Sequence, residues 1–149
     1  TWASNEGQAD YWGAMKCLRH YFEEDNNGEV VKKLNIPSLV AQNCQSIYKN
    51  TEEIFVCERI AMAGLTMGTI LSSLQQERIV NFATPDKSIV KRTYDGHPAS
   101  QCRLDTYFQA SLCDHDFSQV VSNSDPNINV CSFTNGDHLG LRPTCWYKP

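Results

Sequence analysis

The chain of 149 residues lacks a concentrated basic segment, and its 13 Lys+Arg are outnumbered by 17 Asp+Glu, giving a formal charge of −4. Phosphate binding needs a dense positive field, so nucleic acid is not expected as a partner. No run approaches the ~20 uninterrupted apolar residues that a bilayer crossing requires. The most apolar stretch, Ile54 to Leu74, is broken by Glu58 and Arg59 and holds several Gly, Thr and Ser. It reads as a buried core helix, and no membrane span is expected. The start at Thr1 lacks the basic and apolar regions of a signal peptide; either a leader was removed or the chain begins inside a longer gene product. C-x-x-C, G-x-S-x-G and glycine-rich phosphate loops are also absent, which argues against thiolate zinc ribbons, serine-hydrolase elbows and P-loops. With 41% hydrophobic and 20% charged residues, the chain reads as one globular domain over residues 1–149.

Seven cysteines are present: Cys17, Cys44, Cys57, Cys102, Cys113, Cys131 and Cys145. Scattered in this way, they read as disulfide partners made in an oxidising compartment, so a secreted or periplasmic/cell-envelope location is expected. An odd count leaves at least one thiol free or paired with another chain. The short spacings favour Cys44 with Cys57, Cys102 with Cys113 and Cys131 with Cys145, leaving Cys17 unpaired, although spacing does not determine connectivity.

The expected fold is mainly α, with about four helices over residues 1–112 and a cysteine-stapled irregular tail over 113–149. A first helix runs from Ser4 to about Glu24, capped by Ser4 or Asn5, with Ala14, Cys17, Leu18, Tyr21 and Phe22 on its apolar face. Asp25 to Gly28 reads as a turn. A second helix starts near Pro37. The third is capped by Thr51 and carries a stripe that includes Ile54, Cys57, Ile60, Met67, Ile70 and Leu74. Gly64 and Gly68 on it allow either a close backbone approach or a break. Ser100 caps a fourth helix that extends through Leu112, and Ile128 to Phe133 reads as a short strand. Trp2, Trp12 and Trp146 are expected to anchor a core or an interface, and Phe55, Met62 and Met67 to sit in the core.

The informative chemistry begins at Glu6 and Asp10, which are one helical turn apart and so share a face with the small residues Gly7 and Ala14. Two stacked carboxylates are costly against a core unless a cation or hydrogen-bond donors meet them. Zinc satisfies that need: one carboxylate ligates while the other accepts the ring N–H of a ligating histidine. The competing reading is a solvated helix start, where the helix dipole favours acids.

Asn5-Glu6-Gly7-Gln8-Ala9-Asp10 resembles the N-E-x-x-x-D helix of the gluzincin metallopeptidases, and Glu6-x-x-Ala9-Asp10 is similar to the E-x-x-A-D of the HtpX-like peptidases. His97-Pro98 followed by Arg103 resembles the H-P-x4-R element of the same family. The resemblance spans residues 2–23 and 94–112. It implies Glu6 as a zinc ligand and Asp10 as the partner of a ligating histidine. It also implies His97 and Arg103 as catalytic residues near the open metal position, assisting a developing oxyanion or holding substrate. The chain departs from the family in lacking H-E-x-x-H; His20, His97, His115 and His138 never stand three or four apart. The missing helix is expected on an upstream part of the same gene product, so this segment alone should neither hold zinc tightly nor cleave peptides.

Simpler readings exist for His97, as a turn histidine, and for Arg103, as a helix-start arginine paired with Asp105 or solvent. Asp114-His115-Asp116 is a poor metal site because adjacent side chains cannot all face one ion, and His138 reads as a turn residue. Two functions remain at this point: part of a zinc-dependent endopeptidase acting on a peptide or protein substrate, or a non-catalytic secreted helical module that binds a partner.

Overall fold

A computed structural model describes residues 4–122 and 124–149. Trp2 lies outside the described residues. The chain is mainly α, with no strand among the described residues.

Asn5 caps α1 (Glu6–Trp12) by accepting the Gln8 N–H at 2.8 Å. This satisfies one of the donors that a helix start leaves unpaired. The helix passes into a π-helical stretch, Gly13–Leu18, and returns as α2 (Arg19–Phe22). A π turn shifts side chains away from the 3.6-residue period. The buried face therefore carries Tyr11, Ala14 and Met15, with Leu18 and Phe22 packed beside them. Cys17 and Tyr21, expected on that face, are exposed instead.

The turn expected at Asp25 to Gly28 opens a short helix, α3 (Asn27–Val31), with Asn26 as its cap. Helix α4 (Ser38–Ile47) starts directly after Pro37. Asn50, not Thr51, caps α5 (Thr51–Leu74), accepting the Glu52 N–H at 2.8 Å. Helix α6 covers Ser100–Ser111. Ser100 does not cap it; Ala99 holds the cap position, and the carboxylate of Glu77 accepts the Ser100 N–H at 2.8 Å. The strand expected at Ile128 to Phe133 does not form. The Asn135 side chain donates to the carbonyls of Asn127 and Val130, and the chain turns as a 3-10 helix at Phe133–Asn135. Asn, Asp and Ser side chains compete here with ladder formation.

Helices α5 and α6 pack closely because Gly64 and Gly68 carry no side chain. A Cβ at Gly64 would stand 2.4 Å from the Tyr107 Cβ, and one at Gly68 would stand 3.3 Å from the Leu104 Cβ. The pair thus serves close approach, and α5 runs through it unbroken. This choice of contact face has a consequence further along α5. Gly64, Gly68 and Ser72 are buried, whereas Met67, Ile70 and Leu74 of the expected stripe are exposed. Among the described residues, α5 is the one helix long and apolar enough to cross a bilayer, with 39% of its most apolar window buried.

Two apolar clusters form the interior. One gathers Tyr11, Met15, Ile60, Val130 and Trp146, with Trp12 packed against it. The other gathers Val40, Tyr48, Ala61, Phe82, Leu104 and Leu112, with Met62 at its edge. Arg19 is 5% exposed and donates to the Ser111 carbonyl at 2.7 Å and to the Tyr48 hydroxyl. A cation at the carbonyl end of α6 is favoured by the helix dipole.

Among the described residues the disulfides are Cys44–Cys57, as expected, together with Cys102–Cys145 and Cys113–Cys131. The expected Cys102–Cys113 and Cys131–Cys145 pairs do not form. Eleven residues of helix would separate Cys102 from Cys113 by roughly 16 Å, far beyond disulfide reach. Cys17 is free and exposed. Three disulfides point to an oxidising, extracellular type of environment.

Candidate functional site

The site is built where the tail wedges between α1 and α6. Gly7 makes this possible, since a Cβ there would lie 2.2 Å from Cδ2 of Trp146. The indole of Trp146 is fully buried and donates to the Thr106 hydroxyl at 2.9 Å. Its neighbour Cys145 is bonded to Cys102, which immediately precedes Arg103 on α6. Tail, α1 and α6 are therefore fixed together directly beneath the two carboxylates.

That packing sets Asp10 against Arg103. Nε donates to Oδ2 at 2.7 Å and Nη2 to Oδ1 at 2.9 Å, a bidentate pair. The third guanidinium nitrogen, Nη1, stands 3.0 Å from Oε2 of Glu6. Oε1 of Glu6 stands 2.7 Å from Nδ1 of His97.

The His97 loop is placed by two ties. Segment 90–94 runs beside the tail, with the Val90 N–H donating to the Thr144 carbonyl at 3.0 Å and the Tyr94 N–H to the Trp146 carbonyl at 2.7 Å. Asn5 then reaches across from the start of α1 and donates to Asp95 at 3.3 Å. Pro98 is buried and holds the loop down.

Glu6, Asp10, His97 and Arg103, separated by some ninety residues of chain, thus form one cluster. Asp10 is 7% exposed, Arg103 16%, Glu6 35% and His97 81%, so the cluster grades from interior to solvent. Asp10 is not part of a solvated helix face. Arg103 pairs with Asp10 and Glu6, while Asp105 accepts from the Asp86 N–H and Gln101 instead. Burial pushes the Asp10 carboxyl above its usual range, against the pull of Arg103. The hydrogen bond that Arg103 donates to Asp10 in turn raises the pKa of the guanidinium. Burial and the Asp10 charge raise the nearby Tyr107 hydroxyl.

The carboxylates differ in what they can still do. Each Asp10 oxygen already accepts from Arg103, but a carboxylate oxygen has a second lone pair that can take an imidazole N–H. Glu6 is engaged as well, Oε2 by the Arg103 guanidinium at 3.0 Å and Oε1 by His97 at 2.7 Å, but it lies nearer solvent than Asp10 and so is the more available donor to a cation. The two carboxylates share one guanidinium, with the His97 ring as a further partner of Glu6. A catalytic zinc takes three protein ligands; Glu6 and His97 could contribute at most two.

No family model, curated protein or solved structure matches this chain.

Elsewhere among the described residues, groupings of metal-ligand type occur at Asp86, Cys102 and Cys145 and at His115, Cys131 and Asp137. Their cysteines are disulfide-bonded and offer no thiolate. His115 does not act with Asp114 and Asp116; its ring stands 3.2 Å from Asp137. His138 lines a separate cavity. Sequence reasoning missed Trp146 as the wedge under the site and Asn5 with Asp95 as the loop tie. The available signals were the adjacency of Trp146 to Cys145 and the place of Asn5 at the head of the acidic motif.

Proposed function

We propose that these residues belong to a secreted or envelope zinc-dependent endopeptidase of gluzincin type. The reading is supported above all by the convergence of Glu6 and Asp10 with His97 and Arg103, two sequence elements far apart in the chain. In this reading Glu6 ligates the metal, and its place nearer solvent than Asp10 suits it to the task. Asp10 uses its remaining lone pairs to orient a ligating histidine from an H-E-x-x-H helix on polypeptide outside these 149 residues. Zinc, when bound, supplies polarisation of the peptide carbonyl and a water acidified toward neutral pH. Arg103 is immobilised by Asp10 and keeps Glu6 in place. His97, the most exposed member, is positioned to hydrogen-bond the substrate carbonyl as charge develops on it.

The test uses the native gene product. About one zinc per chain is expected by elemental analysis. Glu6→Ala should lose the metal and peptidase activity together, and Asp10→Asn should weaken metal affinity by about 10–100-fold. Absence of zinc from the native product, with Glu6→Ala unchanged in activity, would overturn the reading.

A second reading, a non-catalytic secreted binding module, draws on the way Arg103 alone engages both carboxylates, which is all that a tie between two helices requires. In that case Glu6→Ala alters stability but leaves metal content and partner binding as they were.

A further inference from the structure

We infer that a cavity on the opposite side of α6 is a binding site for an organic carboxylate with an apolar body, held by Arg142. This inference does not rest on the peptidase reading. The cavity has a volume of about 400 Å³, within the range of small-molecule sites. Pro85, Phe133, Leu139, Leu141 and Tyr147 form apolar parts of its wall. Phe133 and Leu139 are 65% and 39% exposed, which leaves apolar surface at the site uncovered.

Arg142 supplies the polar recognition. It lines the cavity and is 4% exposed. Its guanidinium lies 3.8 Å over the centre of the Tyr147 ring, and Nη2 donates to the Asn127 side chain at 3.0 Å. Nε and Nη1 are buried without a hydrogen-bond partner, and Arg142 forms no ion pair among the described residues. Arginine buried this far is normally paired, because desolvating an unpaired charge costs several kcal/mol. Stacking on one tyrosine recovers only part of that cost.

The two acids that line the same cavity, Asp86 and Asp105, do not meet this need: neither forms an ion pair with Arg142, and Asp86 accepts from the Ser88 N–H at 2.9 Å. Both oxygens of Asp105 accept from the protein itself, one from the Asp86 N–H at 2.7 Å and one from the Gln101 amide at 2.8 Å. The unmet demand is therefore cationic, and it sits among aliphatic and aromatic walls. A monocarboxylate fits both features, whereas an inorganic anion would leave the walls uncovered. The same chemistry arises from a free aromatic acid or from a peptide ending in an apolar residue.

Calorimetric titration with 3-phenylpropionate and its primary amide tests the charge requirement on the unaltered protein. The acid is expected to bind at least about tenfold more tightly than the amide, as for other charge-assisted hydrogen bonds. Arg142→Gln should bring the two ligands to equal affinity, and Leu139→Trp, which narrows the cavity but retains the arginine, should weaken both. Near-ultraviolet circular dichroism verifies that each variant is folded. Ala-Ala-Phe with a free carboxylate, compared with its amidated form, separates the sources: tighter binding of the free peptide than of phenylpropionate assigns the site to chain ends, and the reverse order to small acids. Equal binding of acid and amide to the unaltered protein, or no binding of any carboxylate, would refute the assignment.

Discussion

Arg103 grips Asp10 through two parallel hydrogen bonds of 2.7 and 2.9 Å, and this pair ties α1 to α6. Both side chains are largely buried, so the pair is strong only while it is intact: removal of Arg103 leaves Asp10 desolvated and uncompensated, whereas removal of Asp10 leaves Arg103 with Glu6 alone.

Arg103→Met should destabilise the fold by about 3 kcal/mol, and Asp10→Ala by less, because Glu6 still faces the arginine. The double substitution Asp10→Leu with Arg103→Met should cost clearly less than the sum of the single changes. Urea denaturation of the single and double variants measures this; strict additivity would show that the two side chains are not coupled.

Gly7 and Gly13 lie on successive turns of the same helical run, yet they should respond oppositely to alanine. A Cβ at Gly7 would overlap the Trp146 indole, while one at Gly13 meets nothing within 4 Å. Gly7→Ala is expected to cost at least about 2 kcal/mol through overpacking. Gly13→Ala should be neutral or stabilise by up to about 1 kcal/mol through helix propensity. Thermal unfolding of the two variants provides the comparison.

The disulfides should differ in value according to the loops they close. Cys102–Cys145 spans 43 residues and Cys44–Cys57 spans 13. The chain-entropy estimate is about 4 kcal/mol for the first and about 3 kcal/mol for the second. Paired serine substitutions followed by denaturant titration should reproduce that order. Peptide mapping without reductant should recover Cys113–Cys131 as the third bridge, with Cys17 alone accessible to maleimide.

Asp105 should make stability fall as pH rises. Burial pushes its carboxyl up to about 6, against about 3.9 in the unfolded chain. Between these values the folded state binds more protons, so the stabilisation is complete below about pH 4 and lost as pH passes 6. Asp10 and Glu58 are shifted upward as well and act with the same sign. Asp105→Asn should flatten the profile in that window. An unchanged slope in urea midpoints between pH 4 and 7 would show that another group is responsible.

Much of the local structure was legible because it depends on neighbours in sequence. A cap at Ser4 or Asn5, the helix following Pro37 and the long apolar α5 all follow from spacing within a few turns, whereas short spacing found Cys44–Cys57 but failed for the other two cysteine pairs. The candidate site was legible only as two separate elements. Nothing in Glu6 to Asp10 states that His97 lies nearby, and the acidic pair by itself suits a solvated helix start equally well.

The sequence by itself determined a helical, cysteine-crosslinked chain with an acidic first turn, because propensity, capping and residue spacing act locally. Only the tertiary structure decided which face of α5 is buried, which cysteines meet and which cation answers Asp10. The physical reason is steric: Gly64 and Gly68 admit α6, Gly7 admits Trp146, and these contacts outweigh the apolar periodicity that would have turned Met67, Ile70 and Leu74 inward. Once Trp146 is wedged under α1 and bonded through Cys145 to α6, Arg103 has Asp10 and Glu6 within reach.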